Sequence, residues 1–437
     1  MKARLRAFAL EHRTALLVLA LLLLERLLGI YTLGVTYSLQ SDDLSYVNSG
    51  ITFASTGMVT MHDGQHPSAQ IMPGMPVLIG LFSLVFGEGR LLWAALKLFW
   101  VAMGTLTAWF VYRSVRLFAP AWCGVAAMLP FFRADIVWMD NLILTETPFM
   151  LALTAMVYYT MRMAKKPDWR SFWCCLIAYM LSLQCKANIA PYPLLALLYL
   201  LLMKYDRKLL LRQCGVLAGA VLCFLVPWTI RNYVHFHDFI PLTYGAGNPS
   251  LLGTYQGTGY PLDEELDYET NVNQVVREKY ARYLQEDGTP QPAFQRYVNL
   301  QRDAVKAKYR QQVWRQENPQ SMLYSYLVLK PWRLIADVFY WETVFDVKLE
   351  WIRLAQWIDL CLCVLAFIAA HVLKQNRKQA WLLAGTYFAN VFIYSMTYVF
   401  GRYNASLMSL RFILAGIGLG LLFQLVKRGI RTIKTVK

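Results

Sequence analysis

Charged side chains are scarce in this sequence. They make up 16% of its 437 residues, whereas 57% are hydrophobic and the mean hydropathy is +0.36. A soluble domain of this length is far more polar, so the composition describes a chain that crosses a membrane many times. Acidic residues are scarcer than basic ones: 27 Asp and Glu against 43 Lys and Arg leave a net charge of +16. Such a surplus can mark a nucleic-acid binder. Here, however, the basic residues fall in short clusters between apolar runs, the pattern of cytoplasmic loops, and nucleic acid is excluded as a partner.

Cysteine is missing from the whole of 232–350, the longest polar stretch. The eight cysteines (Cys123, Cys174, Cys175, Cys185, Cys214, Cys223, Cys361 and Cys363) lie in or beside apolar runs. They offer neither a disulfide framework nor a zinc-knuckle spacing, and they read as small apolar side chains of helices. A small-x-small cleavage site is also missing after the first apolar run, Leu16 to Leu24, which is interrupted by Glu25-Arg26. With Lys2, Arg4, Arg6 and Arg13 ahead of it, that run reads as a retained first helix. No internal repeat is evident.

What is present is a succession of apolar runs. A spanning helix needs about 20 mostly apolar residues. The candidates are 14–34, 90–112, 120–138, 147–163, 171–189, 190–203, 214–231, 352–373, 379–399 and 405–426. A further stretch, 71–86, begins Ile71-Met72-Pro73-Gly74-Met75-Pro76 and is long enough for a short span. The positive-inside rule decides against that. With 71–86 in the interface, the N-terminus, Arg113/Arg116, Arg162/Lys165/Lys166/Arg170, Lys204/Arg207/Lys208/Arg212, Lys374/Arg377/Lys378 and Lys427/Arg428/Arg431/Lys434/Lys437 all face the cytoplasm. If 71–86 spanned, every later cluster would face out. Both termini are therefore expected in the cytoplasm, and 71–86 is expected as an amphipathic or re-entrant helix on the outer face.

Segment 232–350 then lies outside. It carries 12 Lys/Arg and 15 Asp/Glu, against 31 and 12 in the remainder. Gly245, Gly247, Gly253, Gly257 and Gly259 mark loops in its first part. Residues 272–285 and 294–316 read as polar helices, and Ser321 to Tyr340 as an aromatic, partly interfacial one. The expected architecture is an all-α polytopic membrane protein with about ten transmembrane helices. Its parts are a catalytic transmembrane module (1–231), an extracytoplasmic segment (232–350) and C-terminal transmembrane helices (351–437).

Charges inside or beside membrane helices are expensive and mark either structure or function. Glu25 and Lys97 fall at comparable depth if their helices are antiparallel and read as a buried structural pair. At the outer helix ends stand Asp42/Asp43, Arg133/Asp135, Asp140/Glu146, Lys186, Arg231 and Arg402. Any one alone reads as a snorkelling or capping side chain. As a set on one face they suit a reaction in which carboxylates manage a hydroxyl proton or a metal while Lys and Arg hold a phosphate.

The same residues lie in motifs that resemble the GT-C superfamily of membrane glycosyltransferases. The likeness is to bacterial members similar to protein mannosyltransferases and lipid A aminoarabinose transferases (glycosyltransferase family 39-like). Ser41-Asp42-Asp43-Leu44-Ser45-Tyr46 resembles the acidic motif of that family's first outer loop. Met72-Pro73-Gly74-Met75-Pro76-Val77-Leu78 through Phe86-Gly87 resembles its proline-rich outer helix, followed by Arg90-Leu91-Leu92. Leu144-Thr145-Glu146-Thr147-Pro148-Phe149 resembles the acidic motif of the second outer loop. Pro227-Trp228-Thr229-Ile230-Arg231-Asn232-Tyr233 and Gly401-Arg402-Tyr403 resemble later motifs. Two departures stand out: Met-Pro-Gly-Met-Pro replaces a tight Pro-Pro pair, and Lys186-Ala187-Asn188 stands where relatives often carry Arg-Pro.

The resemblance implies sugar transfer (hexosyl or pentosyl) from a polyprenyl-phosphate donor to a glycan, lipid or protein acceptor at the outer face of a bacterial cytoplasmic membrane. By carry-over one of Asp42 and Asp43 is the general base and Glu146 the second acidic group. Lys186, Arg231, Arg402 and Tyr403 are the candidates for the lipid phosphate and donor, and Tyr46 and His66 for the substrate loop. Segment 232–350 is expected to set acceptor choice. A divalent cation stays open as a cofactor. His62 and His66 are its candidate ligands, although Gly64 and Pro67 argue against a regular helix there and favour a loop with incidental histidines. The competing readings are a transporter or lipid flippase, which would place charges near the midplane, and a catalytically silent accessory subunit.

Overall fold

Residue 8 and residues 10–436 are described by the computed structural model, with side-chain surroundings as far as Lys427. The basic residues Lys2, Arg4 and Arg6, and the side chains from Arg428 onward, lie outside the described residues. Regular structure among the described residues is helical, with only two isolated β-bridges. The principal helices are α1 (Arg13–Leu33), α2 (Asp42–Thr56), α3 (Gly74–Phe86), α4 (Arg90–Arg116), α5 (Ala121–Ala126), α6 (Ala134–Asp140), α7 (Glu146–Lys165), α8 (Trp169–Cys185), α9 (Tyr192–Leu202) and α10 (Arg207–Phe236). Then follow α11 (Gly247–Gly253), α12 (Gln295–Glu317), α13 (Lys330–Ala336), α14 (Leu349–Val372), α15 (Arg377–Ser395), α16 (Gly401–Ala405) and α17 (Met408–Val436).

Five described helices are long and apolar enough to cross a membrane: α1, α4, α10, α14 and α17 as far as Lys427. The stretch from α5 to α6 makes a sixth if its 73° bend is counted within one span. That bend sits at Arg133, whose backbone is extended between a short 3-10 turn carrying Pro130 and α6. The remaining anticipated spans are also helices, but α8 and α9 are short and α7 is rich in threonine. Helix α7 is buried along nearly its whole length, so its polar groups face protein rather than lipid. Thr154 donates to Ser409 Oγ at 2.7 Å, and Thr160 meets the Tyr192 hydroxyl at 2.9 Å.

Helix α3 is too short to span and packs along α2. Their crossing is close because Gly50 and Gly80 face one another: a Cβ on Gly50 would fall 2.3 Å from the Ile79 side chain.

The structure corrects the expected Glu25–Lys97 pair. Arg26, fully buried, donates from Nε to Asp140 Oδ2 at 2.8 Å, while Lys97 donates to the Tyr37 carbonyl at 2.8 Å and to the Asn141 carbonyl. One residue along a helix turns the side chain by about 100°, and that places Arg26 rather than Glu25 inside the bundle. Asp140 is accommodated by Gly104, where a Cβ would lie 2.0 Å from Oδ2.

The part of the chain between α10 and α14 has its own aromatic centre, in which Tyr244, Tyr280 and Tyr283 pack around Tyr297. Helix α12 occupies the expected 294–316 position. The expected 272–285 helix is instead broken into a π turn, a short α-helix and a 3-10 turn, which brings both Tyr280 and Tyr283 onto Tyr297. A buried Arg310 holds the loops together by donating to Thr254 Oγ1 at 2.8 Å, to the Pro261 carbonyl at 2.8 Å and to Asp263.

Candidate active site

Asp42 and Asp43 occupy the first turn of α2, so their side chains diverge by about 100° and only one of them can face a given cleft. Asp43 turns inward. It is fully buried and accepts the backbone N–H groups of Leu39 at 2.7 Å and Ser41 at 3.2 Å, folding the preceding loop onto the helix start. Asp42 turns the other way and stays 37% exposed.

Three further elements meet Asp42. Glu146 opens α7, Lys186 follows α8 in an extended conformation that ends the helix, and Arg402 lies in α16. Arg402 donates from Nη1 to Asp42 Oδ2 at 2.8 Å and from Nε to Glu146 Oε1 at 2.7 Å. Lys186 Nζ donates to the same Glu146 oxygen at 2.7 Å. Two carboxylates and two cations thus form one neutral network, with Glu146 wholly buried at its centre. Burial works against the Arg402 charge, but Glu146 and then Asp42 more than offset that and raise its proton affinity.

Aromatic rings close around the cations. Lys186 Nζ lies 5.3 to 5.9 Å from the ring centres of Tyr403, Phe149 and Tyr394. Tyr394 and Tyr403 stack with centres 4.5 Å apart and planes 12° apart. Rings over an ammonium supply electron-rich faces while excluding water.

The network lines a cavity of about 330 Å³. Its walls are Asp42, Tyr46, Gln70, Thr145, Glu146, Cys185, Lys186, Asn188, Ile393, Tyr394, Thr397, Arg402 and Tyr403, with Thr243, Gly245, Ala246 and Pro249 closing it from the segment after α10. Gly245 is required there: a Cβ would stand 2.4 Å from the Gln70 carbonyl oxygen.

Of the residues singled out in the sequence, Asp42, Tyr46, Glu146, Lys186, Arg402 and Tyr403 share this cavity. Asp43, Arg231 and His66 do not line it. Arg231 donates to the Ser68 carbonyl at 2.8 Å and the Val59 carbonyl at 3.4 Å, tying α10 to the loop before α3. His66 Nδ1 pairs with Asp63 Oδ2 at 2.7 Å. Arg133 and Asp135 form a separate pair at 2.7 Å. Sequence reading missed Tyr394, Asn188 and Gln70. An aromatic or amide near the end of an apolar run carries no distinguishing signal, and only the packing of α15 against the loop after α8 reveals the first two.

The histidines take different partners. His62 Nδ1 lies 2.9 Å from Ser45 Oγ, and its Nε2 lies 3.6 Å from Asp42 Oδ1. Burial lowers the His62 proton affinity more than Asp42 raises it. Among the described residues no three His, Cys, Asp or Glu side chains converge in a way that could hold a metal ion. The pair Asp42–His62 falls short of a dedicated set of protein ligands.

Comparison with known proteins gives the fold. The sequence model of a family described as dolichyl-phosphate-mannose-protein mannosyltransferase matches residues 65–230. No curated protein matches the chain by sequence. Among solved structures, the archaeal oligosaccharyltransferase AglB from Archaeoglobus fulgidus, in complex with an inhibitory peptide and a dolichol-phosphate, superposes with a TM-score of 0.51 at 13% identity. The match covers 98% of this chain and 52% of AglB, so the chain spans about half of that protein's length. ArnT from Cupriavidus metallidurans bound to undecaprenyl phosphate is similar at 14% identity and a TM-score of 0.42, over 94% of this chain and 78% of ArnT. The chain shares the fold of AglB.

Proposed function

We propose that this protein transfers a sugar from a polyprenyl-phosphate donor to an acceptor hydroxyl at the outer face of a bacterial cytoplasmic membrane. The observation that carries the reading is the four-residue network of Asp42, Glu146, Lys186 and Arg402 in one cavity at the ends of apolar helices. The dolichol-phosphate held by AglB and the dolichyl-phosphate-mannose named in the family description supply the donor class.

Asp42 is the general base. It is the carboxylate with access to an incoming hydroxyl, whereas Asp43 is committed to backbone N–H groups. A carboxylate poised over the cavity removes the hydroxyl proton as the new bond forms. Lys186 and Arg402 stabilise the negative charge that grows on the leaving phosphate, and a water-poor cavity strengthens that effect. Glu146 serves as the anchor that holds both cations in place. Direct attack by the acceptor oxygen on the anomeric carbon inverts its configuration. The Tyr394–Tyr403 stack forms an apolar side of the cavity against which a sugar ring can rest. Thr243, Gly245, Ala246 and Pro249 put small neutral groups along the acceptor side, through which the segment after α10 sets acceptor choice.

The test is release of free polyprenyl phosphate from a panel of hexosyl and pentosyl polyprenyl-phosphate donors by the protein in liposomes, with mixed glycan, lipid and protein acceptors present. Release with one donor and a matching glycosylated acceptor supports the reading. Transbilayer movement of the lipid without any sugar transfer would replace it with a flippase.

A further inference from the structure

The network poses a contradiction for the reading above. The Asp42 oxygen that faces the cavity, Oδ2, is occupied by Arg402 at 2.8 Å and so is not free to take a hydroxyl proton, and an arginine already gripped by two carboxylates is a poor phosphate ligand. We propose that the donor resolves both at once: its phosphate draws Arg402 off Asp42, so that the base is unmasked only when a donor is bound. This rests on the assignment of Asp42 and the polyprenyl-phosphate donor made above.

The charge count favours such a displacement. Asp42, Glu146, Lys186 and Arg402 sum to zero, so an arriving phosphodiester finds no uncommitted positive charge in the network. One carboxylate must give way. Glu146 cannot, because it is wholly buried and removing its partners would strand a charge away from water. Asp42 can, since its side chain is 37% exposed and regains water when it lets go. The guanidinium geometry permits the exchange: Arg402 holds Glu146 through Nε and Asp42 through Nη1. The Nη1 edge can pass to a phosphate oxygen while Nε keeps its anchor, as a planar fork of fixed donors allows. The other titratable groups beside Asp42 are His62 at 3.6 Å, Tyr46 and Tyr403, none of which replaces the lost cation when His62 is neutral.

The reaction then runs in step. The acceptor O–H loses its proton to Asp42 as the oxygen bonds to the anomeric carbon. The bond from that carbon to the phosphate oxygen breaks, and its electron pair leaves with polyprenyl phosphate. The phosphate gains a second negative charge at the moment Asp42 becomes neutral. Arg402, already drawn off Asp42 by the donor, then has no charged carboxylate at that edge to compete with the leaving phosphate.

By reciprocal linkage, anything that removes the Asp42 charge must tighten phosphate binding. The experiment measures equilibrium binding of free polyprenyl phosphate, with no acceptor, to wild type, Asp42→Asn and Arg402→Lys in nanodiscs at one fixed pH. The matching polyprenol, which lacks the phosphate, serves as probe control, and thermal melting reports folding. We expect Asp42→Asn to bind polyprenyl phosphate roughly five-fold more tightly or better and polyprenol equally, while Arg402→Lys weakens phosphate binding. Equal or weaker phosphate binding by a folded Asp42→Asn, with wild type binding normally, overturns the unmasking and leaves the transferase reading in place. Equal binding of polyprenyl phosphate and polyprenol by wild type overturns both.

Discussion

Glu146 and Arg402 stand 256 positions apart in the chain and meet at 2.7 Å, in the same spot where Lys186 reaches the identical carboxylate oxygen. The contact joins α7, the end of α8 and α16. Removing one partner of a buried ion network leaves uncompensated charge, at a cost on the order of 3–5 kcal/mol. Glu146→Gln should therefore lower the melting temperature sharply. Adding Lys186→Met to it should recover part of the loss, because the stranded charge is then gone. A double-mutant cycle of thermal melts checks this; strictly additive losses would show that Glu146 does not hold Lys186.

Arg231 belongs to the frame that carries the loop before α3. Its donors are spent on the Ser68 and Val59 carbonyls and Asn232 Oδ1, and its Cζ lies 5.0 Å from the Trp228 ring centre. Arg231→Lys loses the fork geometry that reaches two carbonyls. It should lower thermal stability and raise protease cleavage within 57–70, while polyprenyl phosphate affinity stays within about two-fold of wild type. A large loss of affinity with unchanged stability would return Arg231 to the phosphate site.

The Arg26–Asp140 pair offers a test inside the bundle. Arg26→Leu should destabilise by about 3–5 kcal/mol, and Arg26→Leu with Asp140→Leu should restore most of it, since a buried pair replaced by apolar groups is often neutral. Glu25→Gln should matter little, because Glu25 is part-exposed and 3.9 Å from Arg26. Chemical or thermal denaturation in one detergent ranks the variants, and a Glu25 variant worse than Arg26→Leu would contradict the packing.

Lys330 in α13 makes stability depend on pH. Its side chain is buried, with Nζ 3.0 Å from the Gly253 carbonyl and 3.8 Å from the Tyr326 ring centre. Those contacts favour the ammonium, but burial outweighs them and pushes the group down to about 7. The folded-state value is thus below the unfolded one. Between the two the unfolded chain binds more protons, so stability rises with pH above about 7 as the buried charge is shed. Wild type should gain melting temperature relative to Lys330→Met from pH 7 to 9, and parallel curves would refute it.

Much of this arrangement was legible in the sequence because charge next to an apolar run is costly enough to be conspicuous. Asp42, Glu146, Lys186 and Arg402 were all visible as such. The positions of Lys and Arg set 71–86 apart from the spans, and the structure makes it a short helix, α3, of Gly74–Phe86. What was illegible depends on direction. Asp42 and Asp43 are indistinguishable as letters, and their divergence follows from a loop that offers its N–H groups to one of them. Glu25 and Arg26 differ by one residue of helical phase. Nothing in the sequence marks Arg231 as a donor to the Ser68 and Val59 carbonyls, because backbone partners leave no trace in composition, and Tyr394 reads like any aromatic at the end of a span.

The most direct measurement compares polyprenyl phosphate release by wild type, Asp42→Asn and Asp43→Asn in liposomes, with melting temperatures taken on the same samples. With Asp42 as the base, Asp42→Asn melts like wild type yet loses at least about a hundredfold in turnover, roughly 2.7 kcal/mol of transition-state stabilisation. Asp43→Asn removes the carboxylate that holds the Leu39 and Ser41 amides, so it loses stability first and keeps turnover per folded molecule within about ten-fold. Undiminished turnover in a folded Asp42→Asn protein, or the hundredfold loss falling on a folded Asp43→Asn instead, would contradict Asp42 as the base.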